Sequence, residues 1–191
     1  MNAGNDNTDD ATLTAAALKG DNAAFSELMG RHKDALYRFV RRYVGDADQA
    51  FDLVQDTFIA CWSALDTYDR ARPFNVWLRR IALNKCRDWS RRRQVRRFFF
   101  SAAPLEAADS SPLAAAPDDD ALKQARLAAL DAAIAALPAA LKEPLLLTVY
   151  EGLSHIEAAA VLGLSARAVE TRIHRAKQRL REVLCAEDED D

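Results

Sequence analysis

Cysteine is scarce in this chain and never paired. Cys61, Cys86 and Cys185 stand far apart and no CxxC occurs. Zinc knuckles and dithiol redox sites are thereby excluded, and a sparse, odd thiol count fits a reducing compartment. Histidine is as rare: His32, His155 and His174 show no HExxH or similar ligand spacing. A glycine-rich phosphate loop and a serine nucleophile motif are also missing, so neither catalysis nor a metal or organic cofactor is expected. No apolar run approaches the ~20 residues of a membrane span. The polar, acidic opening MNAGNDNTDD lacks the features of a signal or transit peptide. A cytoplasmic protein with no membrane insertion of its own is expected. Glycine and proline number only six each, aromatics make up 8%, and no strand pattern or internal repeat occurs. With Ala and Leu abundant, that balance favours helices.

What the chain does have is enough apolar sequence for a core, 50% of its residues, and a segregated charge. The net value of −3 hides the pattern. Asp6, Asp9 and Asp10 lie near the start, and Glu187, Asp188, Glu189, Asp190 and Asp191 close the sequence. Between Arg79 and Arg97 the sequence RRIALNKCRDWSRRRQVRR holds nine basic residues and one acid. Such a basic block on an otherwise acidic chain points to a polyanion partner.

The periodicity predicts an all-α protein of two small helical domains joined by a flexible linker. Residues 1–10 read as a disordered acidic tail. A first domain follows over 11–97. Asp21 can cap a helix that carries Phe25, Leu28, Met29, His32, Leu36, Phe39, Val40 and Tyr43 on one face, with His32 as a core histidine. Gly45 ends it. Asp46 caps a second helix whose apolar stripe is Ala47, Phe51, Val54, Phe58, Trp62 and Leu65. After the loop TYDRARP a third helix runs from about Phe74 to Arg93. Residues 98–120, rich in proline, small residues and acids, form the linker. The second domain spans 121–185, with an acidic tail over 186–191. In it Pro138 stops a first helix and Gly152 a second. Ser154 and Glu157 stand at capping-box spacing before a short helix, and Gly163-Leu164-Ser165 turns the chain into a long last helix.

Ala159, Gly163 and Val169 fall at helix-turn-helix spacing: a small residue for a close crossing, a glycine for the left-handed turn, a branched residue to anchor the second helix. Val169, Ile173, Ala176, Leu180 and Val183 keep one face of that helix buried. The other face carries Arg167, Glu170, Thr171, Arg172, His174, Arg175, Lys177 and Gln178. Polar tips for base edges beside cations for phosphates are what a major-groove helix needs. A merely solvated amphipathic helix explains the periodicity, but not the Ala-Gly-Val spacing together with the basic bias.

Two further surfaces lie in the first domain. Asp52, Gln55 and Asp56 sit at i, i+3 and i+4, an acidic patch opposite the apolar stripe. On the third helix Arg80, Asn84, Arg87 and Arg91 share one stripe, with Phe74, Trp77, Leu78, Ile81 and Trp89 toward the other side and Trp77 in the core. Cations interleaved with rings suit single-stranded nucleic acid. Arg91, Arg92, Arg93, Arg96 and Arg97 have no local acids to pair with, which favours a phosphate role.

Five segments carry a resemblance: GDNAAFSEL, DLVQDTFIACWSALDTY, FNVWLRRIALNKCRDWSRRR, LPAALKEPLLLTVYEGLS and VETRIHRAKQRL. In this order and spacing the chain resembles the sigma-70 family, specifically its extracytoplasmic-function group, from about Ala17 to Leu184. The resemblance implies a σ2 helical bundle and a σ4 helix-turn-helix domain. It also implies a function: binding RNA polymerase core, recognising the −35 and −10 promoter elements and opening the strands, for a stress or envelope-response regulon. By it, Asp52, Gln55 and Asp56 would grip the β′ clamp helices. Tyr68 and Asn84 would line the pocket for an extruded −10 base, with Asp69 and Arg70 on the loop and Arg80, Arg87 and Arg91 along the strand. Glu170, Thr171, His174 and Arg175 would face the −35 element, flanked by Arg167, Arg172 and Lys177. Implied partners are polymerase core, including the β flap, promoter DNA and an anti-sigma factor. The chain departs from the family pattern twice. Arg167-Ala168 replaces a common Gly-Thr, and Leu141-Lys142-Glu143 stands where an Arg often follows the LP motif. An ordinary helix-turn-helix regulator would account for the second domain but leave the DLVQDTF and Arg-rich helices without a role.

Overall fold

Local chemistry sets the helix boundaries of the first unit. Asp21 accepts from the backbone N–H groups of Ala23 and Ala24 at 2.9 and 3.1 Å, which starts α2 (Asn22–Val44). Gly45 ends α2 in the left-handed region at φ +80°. Asp46 then accepts from Gln49 N–H at 2.9 Å and opens α3 (Ala47–Ser63). A 3₁₀ turn at Leu65–Thr67 leads through the loop to α4 (Phe74–Phe100). The computed structural model describes residues 3–100 and 119–189, and every regular element among them is helical. The core of this unit joins Leu28, Leu36, Phe39 and Val40 of α2, Leu53, Val54 and Phe58 of α3, and Phe74, Leu78 and Leu83 of α4. Cys61 and Cys86 lie buried in it as free thiols, and burial pushes both up to about 12.

The start of the chain is a correction. Residues 3–10, expected to be disordered, belong to α1 (Ala3–Ala17), which packs on α2. Asp10 is buried and accepts from His32 Nε2 at 2.8 Å, while Asp9 pairs with Arg31 at 2.5 Å. The partners of these acids lie one helix away, beyond any local pattern. The third helix is longer than expected and runs on to Phe100; the part of the linker over 101–118 lies outside the described residues.

The second unit begins with α5 (Asp119–Ala136), two residues before the expected boundary. Pro138 separates it from α6 (Ala139–Leu145). Pro144 sits inside α6, and having no N–H it breaks the ordinary i→i−4 ladder there. The chain continues as a π turn over Leu146–Tyr150, with Glu151 N–H reaching Leu146 C=O at 3.1 Å. α7 (His155–Leu162) and α8 (Ala166–Glu189) complete the unit. α8 continues through residues 186–189, where a tail was expected. Its core contains Ile134, Leu145, Leu146, Leu147, Ala158, Val169 and Ala176.

The two units are in contact. α5 lies on α2 and α7 on α4. A β-carbon placed on Gly45 would come within 2.9 Å of the Ala135 Cβ, so glycine is required there by the close approach as well as by φ.

Candidate nucleic-acid interfaces

The helix-turn-helix is assembled by the residues that predicted it. Ser154 Oγ accepts from Glu157 N–H at 3.2 Å, and Glu157 accepts in return from Ser154 N–H at 2.8 Å. The Ser154 hydroxyl, donating to the same carboxylate at 2.7 Å, and then the Ser154 N–H hold the Glu157 carboxyl below the usual range. Gly163 turns the chain at φ +68°, and Ser165 Oγ accepts from Ala168 N–H at 3.2 Å at the mouth of α8. Ala159 of α7 and Val169 of α8 are both buried where the two helices pack. With Val169, Ile173, Ala176 and Leu180 turned inward, Arg167, Glu170, Thr171, His174, Arg175 and Lys177 are exposed and Arg172 is half-buried. Val183, expected on the buried face, is 40% exposed: the apolar partners end one turn earlier. The Thr171 hydroxyl donates to Arg167 C=O at 2.9 Å.

A second site forms where the loop after α3 meets α4. A cavity of about 450 Å³ is lined by Tyr68, Asp69, Arg72, Trp77, Arg80 and Asn84, among others. Tyr68 is buried rather than displayed. Its ring packs on Phe74 and Trp77 with centroids 5.4 and 5.1 Å away, and its hydroxyl donates to Arg72 C=O at 2.6 Å. Burial, then the nearby Asp10 and Asp69 carboxylates, push the phenol up to about 12, so it is a neutral donor at physiological pH. Asp69 accepts from Ala71 N–H at 3.0 Å and pairs with Arg72 at 3.4 Å, which shapes the loop. Arg70 is exposed and does not line the cavity. Trp77 is half-buried, with the cavity on one side and core on the other.

The α4 stripe does not act as one strip. Arg80 and Asn84 line this cavity, but Arg87 turns to the second unit. Its Nε and Nη2 donate to the Glu143 carboxylate at 2.8 and 2.5 Å. Arg91, expected to lack a local acid, pairs with Asp88 one turn back. It also lines a groove of about 640 Å³ between α3 and α4, where Arg91, Arg92 and Arg96 stand across from Asp52 and Asp56. Arg93 stacks over the Trp89 ring at 5.2 Å.

On α3, Asp52, Gln55 and Asp56 are all exposed. The apolar stripe, however, is not wholly covered. Phe51 is 58% exposed, Ile59 66% and Trp62 42%. Phe51, Gln55, Ile59 and Trp62 recur at helical spacing, so an apolar ridge runs beside the acidic patch, with a shallow groove between Phe25, Met29, Phe58 and Trp62 next to it. Exposed large apolar residues in one row were the missed signal: the period was right, but the row extends past the width that α2 and α4 cover.

A helix-turn-helix with an open polar face, joined to a basic helix over an aromatic-lined cavity, defines an all-helical, two-domain DNA-binding protein. Residues 28–96 match Sigma-70 region 2, and residues 127–180 match Sigma-70, region 4. The RNA polymerase sigma factor NccH of Alcaligenes xylosoxydans xylosoxydans is 41% identical, over 92% of this chain and 94% of that protein. The RNA polymerase sigma factor CnrH of Cupriavidus metallidurans is also 41% identical, over 94% and 96%. The structure of CnrH in complex with the cytosolic domain of CnrY superposes with a TM-score of 0.68 at 38% identity, covering 93% of this chain and 98% of that one. The sigma factor RpoE in complex with the anti-sigma factor NepR from Bartonella quintana gives 0.66 at 26%, covering 84% and 96%. The chain belongs to the sigma-70 family, in its extracytoplasmic-function group: a transcription initiation factor rather than a catalytic enzyme. Among the described residues no helix is long and apolar enough to cross a membrane, and no cluster of His, Cys, Asp and Glu could hold a metal.

Proposed function

We propose that this chain docks on RNA polymerase core through α3, reads the −35 element with α8, and reads and melts the −10 element with the loop-to-α4 cavity. The observation that carries this reading is the pairing of two unlike DNA-facing surfaces in one chain. α8 offers exposed Thr171, His174 and Arg175 to base edges in a duplex groove. The cavity at Tyr68, Arg80 and Asn84 is closed at its base by packed rings and has room for a group about the size of a base. Extruding a base costs a few kcal/mol of stacking (about 2–4), and a pre-formed pocket lined by polar groups offsets that cost for the right base only. Arg80 at the cavity and exposed Arg92 and Arg96 further along α4 would follow the phosphates.

Docking on the β′ clamp would use Asp52, Gln55 and Asp56 together with the apolar ridge of Phe51, Ile59 and Trp62, and the second unit would approach the β flap. An anti-sigma factor is the natural inhibitor, as the complexes of CnrH with CnrY and of RpoE with NepR suggest. The reading implies a cytoplasmic protein serving a stress or envelope-response regulon. The experiment is run-off transcription with purified core on a genomic fragment library. Start sites that require this chain and share two upstream elements support the reading; tight sequence-specific duplex binding without polymerase, and no added starts, would support an ordinary regulator instead.

A further inference from the structure

No residue of α1 lines the loop-to-α4 cavity, yet the rings of its wall are held from that helix. Phe74, the first residue of α4, does not line the cavity either. Tyr68 meets Phe74 edge-on at 5.4 Å and Trp77 lies 5.7 Å from it, and those two rings are cavity walls. Phe74 also meets the His32 ring of α2, with centroids 5.1 Å apart and planes at 47°. His32 Nε2 lies 2.8 Å from Asp10 Oδ2 of α1, and the Thr14 hydroxyl donates to Asp10 C=O at 2.7 Å. The second Asp10 oxygen is 3.6 Å from Arg31 Nη1. Asp10, Thr14 and Phe74 are each at most 4% exposed. A file of side chains thus runs from α1 to the cavity: Asp10, His32, Phe74, then Tyr68 and Trp77.

We infer that Asp10 and His32 are positioning residues for strand opening: α1 sets, through them, the rings that receive the extruded base. This role rests on reading the loop-to-α4 cavity as the base pocket. Three observations support it. First, Phe74 is not wedged by core on every side. With Asp10, His32 and Arg79 it borders a cavity of about 430 Å³, so the ring depends on its aromatic neighbours for its place. Phe74 opens α4, and Trp77, Arg80 and Asn84 follow it at helical spacing along the pocket. A shift at Phe74 therefore moves every contact that α4 offers a base. Second, a hydrogen-bonded acid is a poor way merely to dock a helix. A buried carboxylate costs free energy unless it is paired, and an apolar pair of similar volume holds as well or better. What the hydrogen bond adds is direction: it fixes the plane of the His32 ring, and the ring contacts pass that orientation on. Third, the acid of α1 is felt at the pocket wall: burial first, and then the Asp10 carboxylate, raise the Tyr68 phenol.

Two variants of the full chain separate docking from positioning. Asp10→Leu with His32→Leu puts an apolar pair in place of the hydrogen-bonded one and still holds α1. Asp10→Asn, the conservative change, keeps an acceptor for His32. Both should match the wild type in circular dichroism and urea unfolding. The rings are read first without DNA, with Trp62→Phe and Trp89→Phe leaving Trp77 as the one indole of the chain. Acrylamide should quench Trp77 more steeply in the double Leu variant, and as in the wild type in Asp10→Asn. Opening is then read by permanganate, with purified core, on promoters recovered by run-off transcription. The double Leu variant should open duplex about 10-fold more slowly, recover on pre-melted templates, and no longer distinguish the extruded base from an abasic residue at that position. Asp10→Asn should restore all three. If the double Leu variant loses helicity, Asp10→Ala decides, because it removes the acceptor and leaves the His32 ring. Unchanged Trp77 quenching overturns the inference, and so does normal opening where Asn84→Ala opens poorly. If Asn84→Ala also opens as the wild type does, the pocket reading fails instead, and Trp77 quenching alone decides whether α1 sets the rings.

Discussion

The candidate DNA-facing surfaces of α8 and α4 are built on opposite plans. On α8 the candidate contacts stand on one open face, and the helix behind them needs only four inward residues to hold it. On α4 the candidate contacts are shared among a cavity, an interface with the other unit and a groove along α3. The first plan suits a duplex, whose groove accepts a helix as it stands. The second suits a strand that must be unstacked, because a pocket has to exist before the base arrives. A helix that reads duplex can therefore be finished by its own period, whereas a pocket depends on what three other elements bring to it.

The largest expected effect breaks that dependence. Phe74 is 1% exposed and carries Tyr68 and Trp77 above it. Phe74→Ala should destabilise the first unit by about 3–5 kcal/mol, measured by urea unfolding, and should abolish opening at the −10 element. Arg175→Ala should leave stability unchanged. Equal stability loss in the two variants would contradict the comparison.

Polymerase docking should come next. Asp52→Lys with Asp56→Lys removes an exposed patch, so circular dichroism should be unchanged while core affinity falls on the order of 100-fold. Phe51→Ser with Ile59→Ser tests the neighbouring ridge in the same binding assay. If core affinity survives both double variants, docking lies elsewhere.

Much of this architecture was legible because the signals are local. The caps at Asp21, Asp46 and Ser154, the left-handed turns at Gly45 and Gly163, and the inward row of α8 are all decided within a few residues of chain. The misreadings share a different cause. Asp10 finds His32 across a helix pair, and Arg87 finds Glu143 from another unit, so the sequence places the one in a disordered tail and the other on a strand-facing stripe. Phe51 and Trp62 keep the period of a buried stripe, yet both stay exposed, although the Trp62 ring meets Phe25 of α2 edge-on at 4.7 Å. Arg91 did have an acid within reach, Asp88, which a search for acids beyond the basic cluster passes over. Hydrophobic period names the side a residue takes but not its neighbour there.

On α8, Arg175→Ala should weaken recognition of the −35 element by about 1–3 kcal/mol if the guanidinium makes a bidentate base contact. Competition binding of the polymerase complex to upstream-element variants reads this directly, and a uniform loss on every sequence would mean a phosphate contact instead.

The smallest expected effect concerns Lys142. Burial lowers its ammonium to about 8, against 10.5 when exposed. Above pH 8 the folded chain therefore binds fewer protons than the unfolded one, and this residue's contribution to stability rises with pH. From pH 8 to 9 the wild type should gain about 1 kcal/mol relative to Lys142→Met. The window closes above pH 10.5, where the ammonium is deprotonated in both states; the buried thiols of Cys61 and Cys86, raised to about 12, act in the opposite sense but in both proteins, so the comparison removes them. A pH-independent difference between the two proteins in urea unfolding would mean that Lys142 is hydrated in the folded state.

The most direct measurement places Asn84→Ala and Arg175→Ala side by side with purified core, on fully duplex templates and on templates already melted around the start site, with permanganate reactivity reporting open strands. Asn84→Ala should bind duplex promoter normally and open it poorly, with the defect relieved on pre-melted DNA. Arg175→Ala should fail at binding, and should matter little once the strands are apart. If both variants lose the same step to the same degree, the two surfaces do not divide the promoter between them.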